Sequence, residues 1–153
     1  AAHRGGTLLA GLSGVGGAGN SVAPARGGSG GFAAGRCGTR LGVVRGHSRC
    51  GAILAALEEL RRPSENQSRN LGSIVDRVRP SVEELLKTDL RHDVDALVCQ
   101  SVRLNIRASA NHLRHGSREL EQLIRDDGLV VVGAEYSLET GAVEFFDGLP
   151  EPE

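Results

Sequence analysis

A chain of 153 residues is long enough to bury one real core, and its 18 basic against 19 acidic side chains leave a formal net charge of −1. That balance excludes a contact surface built on bulk positive charge, so neither nucleic acid nor an anionic membrane is an expected partner, and no apolar run reaches membrane-spanning length. Three cysteines, Cys37, Cys50 and Cys99, are too few and too odd in number for a disulfide framework, which points to a reducing, cytoplasmic setting.

Methionine and tryptophan are absent and the aromatics are only Phe32, Tyr136, Phe145 and Phe146, so a core must be built from Leu, Val, Ile and Ala. Glycine crowds the chain ahead of Gly51. The stretches Gly14 to Gly19 and Gly27 to Gly31 read as loop, because every glycine adds backbone entropy that folding must overcome. Residues 1–38 are therefore expected to form a poorly ordered segment and residues 39–153 the folded domain. The start through Ala10 carries Arg4 and Leu8-Leu9, but Gly5, Gly6 and Gly11 interrupt it and make it a poor signal peptide.

After Thr39 the pattern sharpens. Leu41-Gly42-Val43-Val44 is a short apolar run of the kind that forms a buried parallel strand, ending at Gly46. Gly51 to Leu60 then reads as a helix with Ile53, Leu54 and Leu57 on one face, stopped by Pro63. Two capping boxes, Ser64 with Gln67 and Ser81 with Glu84, predict a pair of helices: Ile74, Val75 and Val78 belong to the first, Val82, Leu85 and Leu86 to the second. Asp93 opens the longest helical pattern, in which Val94, Leu97, Val98, Val102, Ile106 and Leu113 recur at threes and fours. Gly116 breaks it, Ser117 caps a short helix through Leu120, Leu123 and Ile124, and Gly128 ends that one. Leu129 to Val132 is a strand by composition, and the turn Glu139-Thr140-Gly141 leads into Val143-Glu144-Phe145-Phe146, a second strand of alternating type. This order is that of an α/β domain with a terminal hairpin.

The segment Gly46-His47-Ser48-Arg49-Cys50-Gly51 lies where the first apolar strand gives way to a helix, the usual place for a site in an open α/β sheet. His47 and Cys50 are three residues apart, so one turn can aim an imidazole and a thiolate at a single point. A helix N-terminus favours an anion, the form in which cysteine sulfur binds zinc. A catalytic zinc needs three protein ligands and an open position. The HxxC pair alone therefore marks either two ligands of a metal site or a strand-end histidine near a half-buried cysteine.

Val43-Val44-Arg45-Gly46-His47-Ser48-Arg49-Cys50-Gly51-Ala52-Ile53 resembles the second conserved motif of the beta-class carbonic anhydrases: hydrophobic strand, G-H-x-x-C-G, helix. Upstream, Ala18-Gly19-Asn20 resembles that family's R-x-A-G-N loop, and Phe32-Ala33-Ala34 falls where it has an E-F/Y-A helix start. Downstream, Asn105-Ile106 and Leu113 lie in what resembles its long C-terminal helix. Residues Gly128 to Ala134 and Tyr136 to Gly141 resemble its final strand and hairpin. The likeness runs in order from about Asn20 to the end of the chain.

The resemblance implies an α/β fold, a small mainly parallel sheet flanked by helices with a C-terminal hairpin. It also implies a zinc-dependent carbonate dehydratase, a lyase acting reversibly on carbon dioxide and bicarbonate, that associates as a homo-oligomer. The family holds one zinc by a cysteine, a histidine and a second cysteine, and His47 and Cys50 match the last two. The first cysteine of the family belongs to a C-x-D-x-R motif whose aspartate and arginine orient the zinc-bound solvent. In this chain no cysteine precedes Cys37, no Asp or Glu precedes Glu58, and glycine replaces the arginine expected ahead of Ala18. No catalytic residue is therefore matched, and the N-terminal C-x-D-x-R segment is missing. A second reading follows, a carbonic-anhydrase-like scaffold or fragment with impaired turnover.

Other patterns carry less. Gly14-Val15-Gly16-Gly17-Ala18-Gly19 satisfies GxGxxG, but Pro24 and further glycines follow where a helix should begin, and no acidic residue lies some twenty residues on to hold a ribose. His112 and His115 share a helix face without an acidic or thiolate neighbour in sequence, the pattern of a solvated surface. Cys37 and Cys99 read as small packing residues.

Overall fold

The computed structural model describes residues 7–11, 38–63 and 69–150. Among these residues the sheet has four strands in the order β1-β2-β3-β4: β1 (Thr7–Gly11), β2 (Leu41–His47), β3 (Val130–Tyr136) and β4 (Val143–Asp147). The first three are parallel and β4 returns antiparallel beside β3. The mainly parallel sheet with a terminal hairpin is thus the architecture that the resemblance implied.

Both central strands outrun their apolar cores. Arg45, Gly46 and His47 continue β2 because they pair with Ala134, Glu135 and Tyr136, which continue β3; ladder hydrogen bonds carry a strand past the residues that nucleate it. Strand β1 lies in the segment where no strand was expected. Leu8-Leu9 between glycines is too short a signal to read alone, and the element exists through its pairing with β2, Thr7 opposite Leu41 and Gly11 opposite Arg45. The glycine stretches 14–19 and 27–31 lie outside the described residues.

Among the described residues there are four α-helices: α1 (Gly51–Arg61), α2 (Arg69–Val82), α3 (Val94–His115) and α4 (Arg118–Asp126). The long helix begins as its sequence dictates, the Asp93 carboxylate accepting from Ala96 N at 3.0 Å, a cap generally worth about 1 kcal/mol. The Ser81 capping box is corrected. Helix α2 runs through Pro80 and Ser81 to Val82, and only two short 3₁₀ turns, Leu85–Lys87 and Asp89–His92, follow. Proline so close to the helix end breaks little of the hydrogen-bond ladder, and full burial of Val82 extends the helical turn inward. Ser64 and Gln67 fall outside the described residues. The alternation expected in β4 is also corrected. Gly133 pairs with Asp147 and Ala134 with Phe145, so Phe146 is the extra residue of a bulge. It turns inward, packing on the core beneath Arg103 and Arg107.

The core sits between the sheet and the helices, joining Val44 and Val131 to Ile53, Leu57, Val75, Leu97 and Ile106. Pleating places Val43, Val132 and Ala134 in a separate cluster. Helix α3 lies against β2 and β3 through Ile106, which occupies the space two glycines leave. A Cβ on Gly46 would stand 2.8 Å from Ile106 Cδ1, and one on Gly133 would stand 3.0 Å from Ile106 Cγ2. Gly46→Ala should therefore destabilise the protein by about 1–3 kcal/mol. Ile106→Val should relieve part of that cost, coupling the two changes by at least ~0.5 kcal/mol in a urea double-mutant cycle. Strictly additive costs would contradict the close approach.

Candidate functional site

The strand that helix α3 presses upon ends at His47, the last residue of β2. Cys50 stands three residues later, immediately ahead of α1, where its carbonyl accepts the first helical hydrogen bond from Leu54 N at 3.0 Å. Both side chains are half-buried. The two residues bracket a turn at the C-terminal end of a parallel strand that has a neighbour on each side.

His47 Nδ1 lies 2.8 Å from Ser48 O. A carbonyl can only accept, so Nδ1 carries the hydrogen and a neutral ring keeps its lone pair on Nε2, the tautomer a metal ligand needs. The Cys50 thiol is free, and as the helix N-cap residue it makes no capping hydrogen bond. Both donors suit zinc. Among the described residues no three of His, Cys, Asp and Glu come together to hold a metal ion.

The intervening turn is held by the neighbouring strand β3 and the hairpin after it, at the same end of the sheet. Ser48 N donates to Tyr136 O at 2.9 Å, Ser48 Oγ donates to Glu139 Oε2 at 2.7 Å, and Leu138 N donates to Ser48 Oγ at 3.0 Å. Arg49 adopts φ 51°, the left-handed region that disfavours a side chain, and its Nε lies 2.7 Å from Glu139 Oε1. Glu139 thus engages both residues between His47 and Cys50, one with each carboxylate oxygen, and also accepts from Ser137 Oγ at 3.0 Å. Hydrogen bonding from Ser48, with help from its own backbone and Ser137, holds its carboxyl below the usual glutamate range, and Arg49 adds to the effect. Beneath the turn, Arg45 stacks over the Tyr136 ring, 5.5 Å from its centre.

Sequence reading located His47 and Cys50 but took Glu139 only as a turn residue. Its partner Ser48 is 91 residues away, and no local spacing signals such a link. Of the remaining candidates, His112 and His115 are exposed on α3. Cys99 is exposed as well, which corrects its reading as a packing residue. Cys37 and the GxGxxG stretch lie outside the described residues.

Residues 15–143 match the family model described as carbonic anhydrase. No curated protein matches the chain in sequence. Among solved structures, the beta-carbonic anhydrase CafA of Aspergillus fumigatus is similar with TM-score 0.69 and 21% identity, over 84% of this chain and 58% of that one. A tetrameric beta-carbonic anhydrase from Sordaria macrospora gives TM-score 0.63 and 20% identity, over 80% and 60%. Wild-type CafD of Aspergillus fumigatus gives TM-score 0.64 and 16% identity, over 95% and 91%. The chain thus spans less than two thirds of the CafA and Sordaria chains.

A carboxyl held below its ordinary value favours the folded arrangement above the ordinary glutamate range, and that advantage is lost as pH falls through the depressed value. Carbon-detected NMR titration should find Glu139 protonating below the usual range. Ser48→Ala should move its midpoint back upward, and an unmoved midpoint would show that Ser48 is not the main cause.

Proposed function

The chain belongs to the beta-class carbonic anhydrase family, and from that membership we propose that it is a zinc-dependent carbonate dehydratase acting reversibly on carbon dioxide and bicarbonate. The reading is supported most directly by one arrangement. A histidine whose Nε2 has no hydrogen-bond partner among the described residues ends a central strand, and a free cysteine three residues on opens a helix, both within the matched residues.

On this reading His47 holds zinc through Nε2 and Cys50 through Sγ. When bound, zinc supplies the Lewis acidity that makes a hydroxide nucleophile available at about pH 7. The protein's own residues do the rest: Ser48 O fixes the imidazole tautomer, and Cys50 presents its sulfur at the start of α1. Homo-oligomers are proposed by analogy with the tetrameric Sordaria macrospora enzyme. A cytoplasmic setting is proposed from the sparse cysteines; among the described residues no helix is long and apolar enough to cross a membrane.

A second reading, a scaffold of the same family with impaired turnover, is favoured by one observation. Within residues 1–153 no cysteine comes before Cys37 and no acidic residue before Glu58, so these residues offer no match to the family's first cysteine and its aspartate.

Metal analysis with stopped-flow hydration on the purified chain separates the two. The expected outcome is zinc bound through His47 and Cys50, with turnover at least about 10-fold below that of a family member with the full ligand set and its supporting residues. His47→Ala and Cys50→Ser should each release the metal and abolish hydration. Zinc binding without hydration selects the scaffold, and absence of zinc binding defeats the metal site. Tight zinc with fast turnover would show that another residue supplies the third ligand.

A further inference from the structure

The hairpin between β3 and β4 reaches across to the turn that separates the two zinc donors. Its contacts converge on a single carboxylate. Glu139 Oε2 accepts from Ser48 Oγ at 2.7 Å and Oε1 faces Arg49 Nε at 2.7 Å. Ser48 in turn offers its carbonyl to His47 Nδ1 at 2.8 Å. A chain of contacts therefore runs from Glu139 through Ser48 to the imidazole, and a second contact joins Glu139 to Arg49, the residue before Cys50.

We propose that Glu139 is a positioning residue: by holding Ser48 and Arg49 it orients the Ser48 carbonyl, keeps the hydrogen of His47 on Nδ1 and presents Nε2 for a metal. The consequence for metal binding rests on the zinc reading above, whereas the consequence for the histidine does not.

Three features support a positioning role over a merely fastening one. Ser48 is constrained at three points, through its N–H to Tyr136 O, its hydroxyl to Glu139 and its carbonyl to His47. The hydroxyl's one hydrogen goes to Glu139 while its oxygen accepts from Leu138 N, so the carboxylate is the acceptor that fixes its direction. Arg49 holds a left-handed φ of 51°, a conformation that persists where surrounding contacts impose it. Without Glu139 the turn can relax, the Ser48 carbonyl can swing, and the imidazole loses what selects its tautomer. Outer contacts of this kind typically carry 10- to 100-fold in metal affinity.

The test uses the full chain and two readouts. Nitrogen-15 NMR of the histidine rings at a pH where they are neutral, with His47 identified by its loss in His47→Gln, reports the tautomer without metal. Titration with Co²⁺, read by its thiolate charge-transfer band, reports the paired donors. The wild type should show a single His47 tautomer with the hydrogen on Nδ1. Glu139→Ala should show averaged tautomers and roughly 10- to 100-fold weaker Co²⁺ binding. Glu139→Gln, which keeps an acceptor for Ser48, should retain the tautomer and most of the affinity. Ser48→Ala cuts the same chain from its other side and should reproduce Glu139→Ala, so the comparison survives if one variant folds poorly. An unchanged His47 tautomer in both Glu139→Ala and Ser48→Ala overturns the proposal, as does a mixed tautomer in the wild type. A wild type that binds no Co²⁺ defeats the zinc reading alone, because the tautomer arm still decides the role of Glu139.

Discussion

One helix sets the depth and the angle of everything that surrounds the candidate site. Helix α3 can lie close to the sheet only because Gly46 and Gly133 have no side chains where Ile106 enters, and a dense interior cannot absorb an added methyl there without movement. The same helix then reaches past the sheet centre with arginines. Arg103 bonds Glu135 at 2.8 Å and also meets Glu144, while Arg114 bonds Asp147 and Val131 O, each at 2.7 Å. Residue 135 is buried, and its hydrogen bond holds the Arg103 guanidinium still more firmly protonated. Leaving either partner of that pair alone in a low-dielectric setting would be costly. So α3 fixes both the strand that ends in His47 and the hairpin that carries Glu139, and the two halves of the site inherit their separation from a single element.

The legible part of the fold was the part with long, regular periodicity. Helix α3 announces itself through apolar residues at threes and fours and a capping aspartate. Strand β1 could not be read, because five residues with one Leu-Leu pair among glycines specify nothing until β2 offers them a ladder. The misplaced cap at Ser81 has a similar origin. Serine followed three residues later by glutamate is a valid local signal, yet the burial of Val82 and Val78 keeps those residues in the preceding helix. The bulge at Phe146 was likewise invisible, since its cause is the pocket formed with Arg103 and Arg107 rather than any pattern within the strand.

The site divides along the same line. His47 and Cys50 were visible because metal-ligand chemistry and strand-to-helix placement are both local. The requirement for glycine at position 46 was not, because Ile106 imposes it from another element. Glu139 was classed with its turn because turns are rich in polar residues, and only the folded sheet brings it to Ser48. Residues that hold a site together are drawn from anywhere in the chain, so they leave the faintest mark in its sequence.

The turn itself shows why several contacts are needed where one would look sufficient. A non-glycine residue in the left-handed region costs about 1–2 kcal/mol, and Arg49 occupies it. Its ion pair with Glu139 joins side chains 79% and 38% exposed, the class of surface pair that contributes little once entropy and screening are counted. That pair alone cannot hold Arg49 in place. The geometry must also draw on Ser48, whose N–H and hydroxyl are both engaged, and on Cys50 O, which commits the next residues to α1. The strain falls at Arg49, the one described non-glycine residue with a positive φ, and with Ser48 it sets the path between His47 and Cys50. A glycine at position 49 would lower the strain but would also free the turn. An arginine tied to Glu139 accepts the strain in return for a defined path between the two donors.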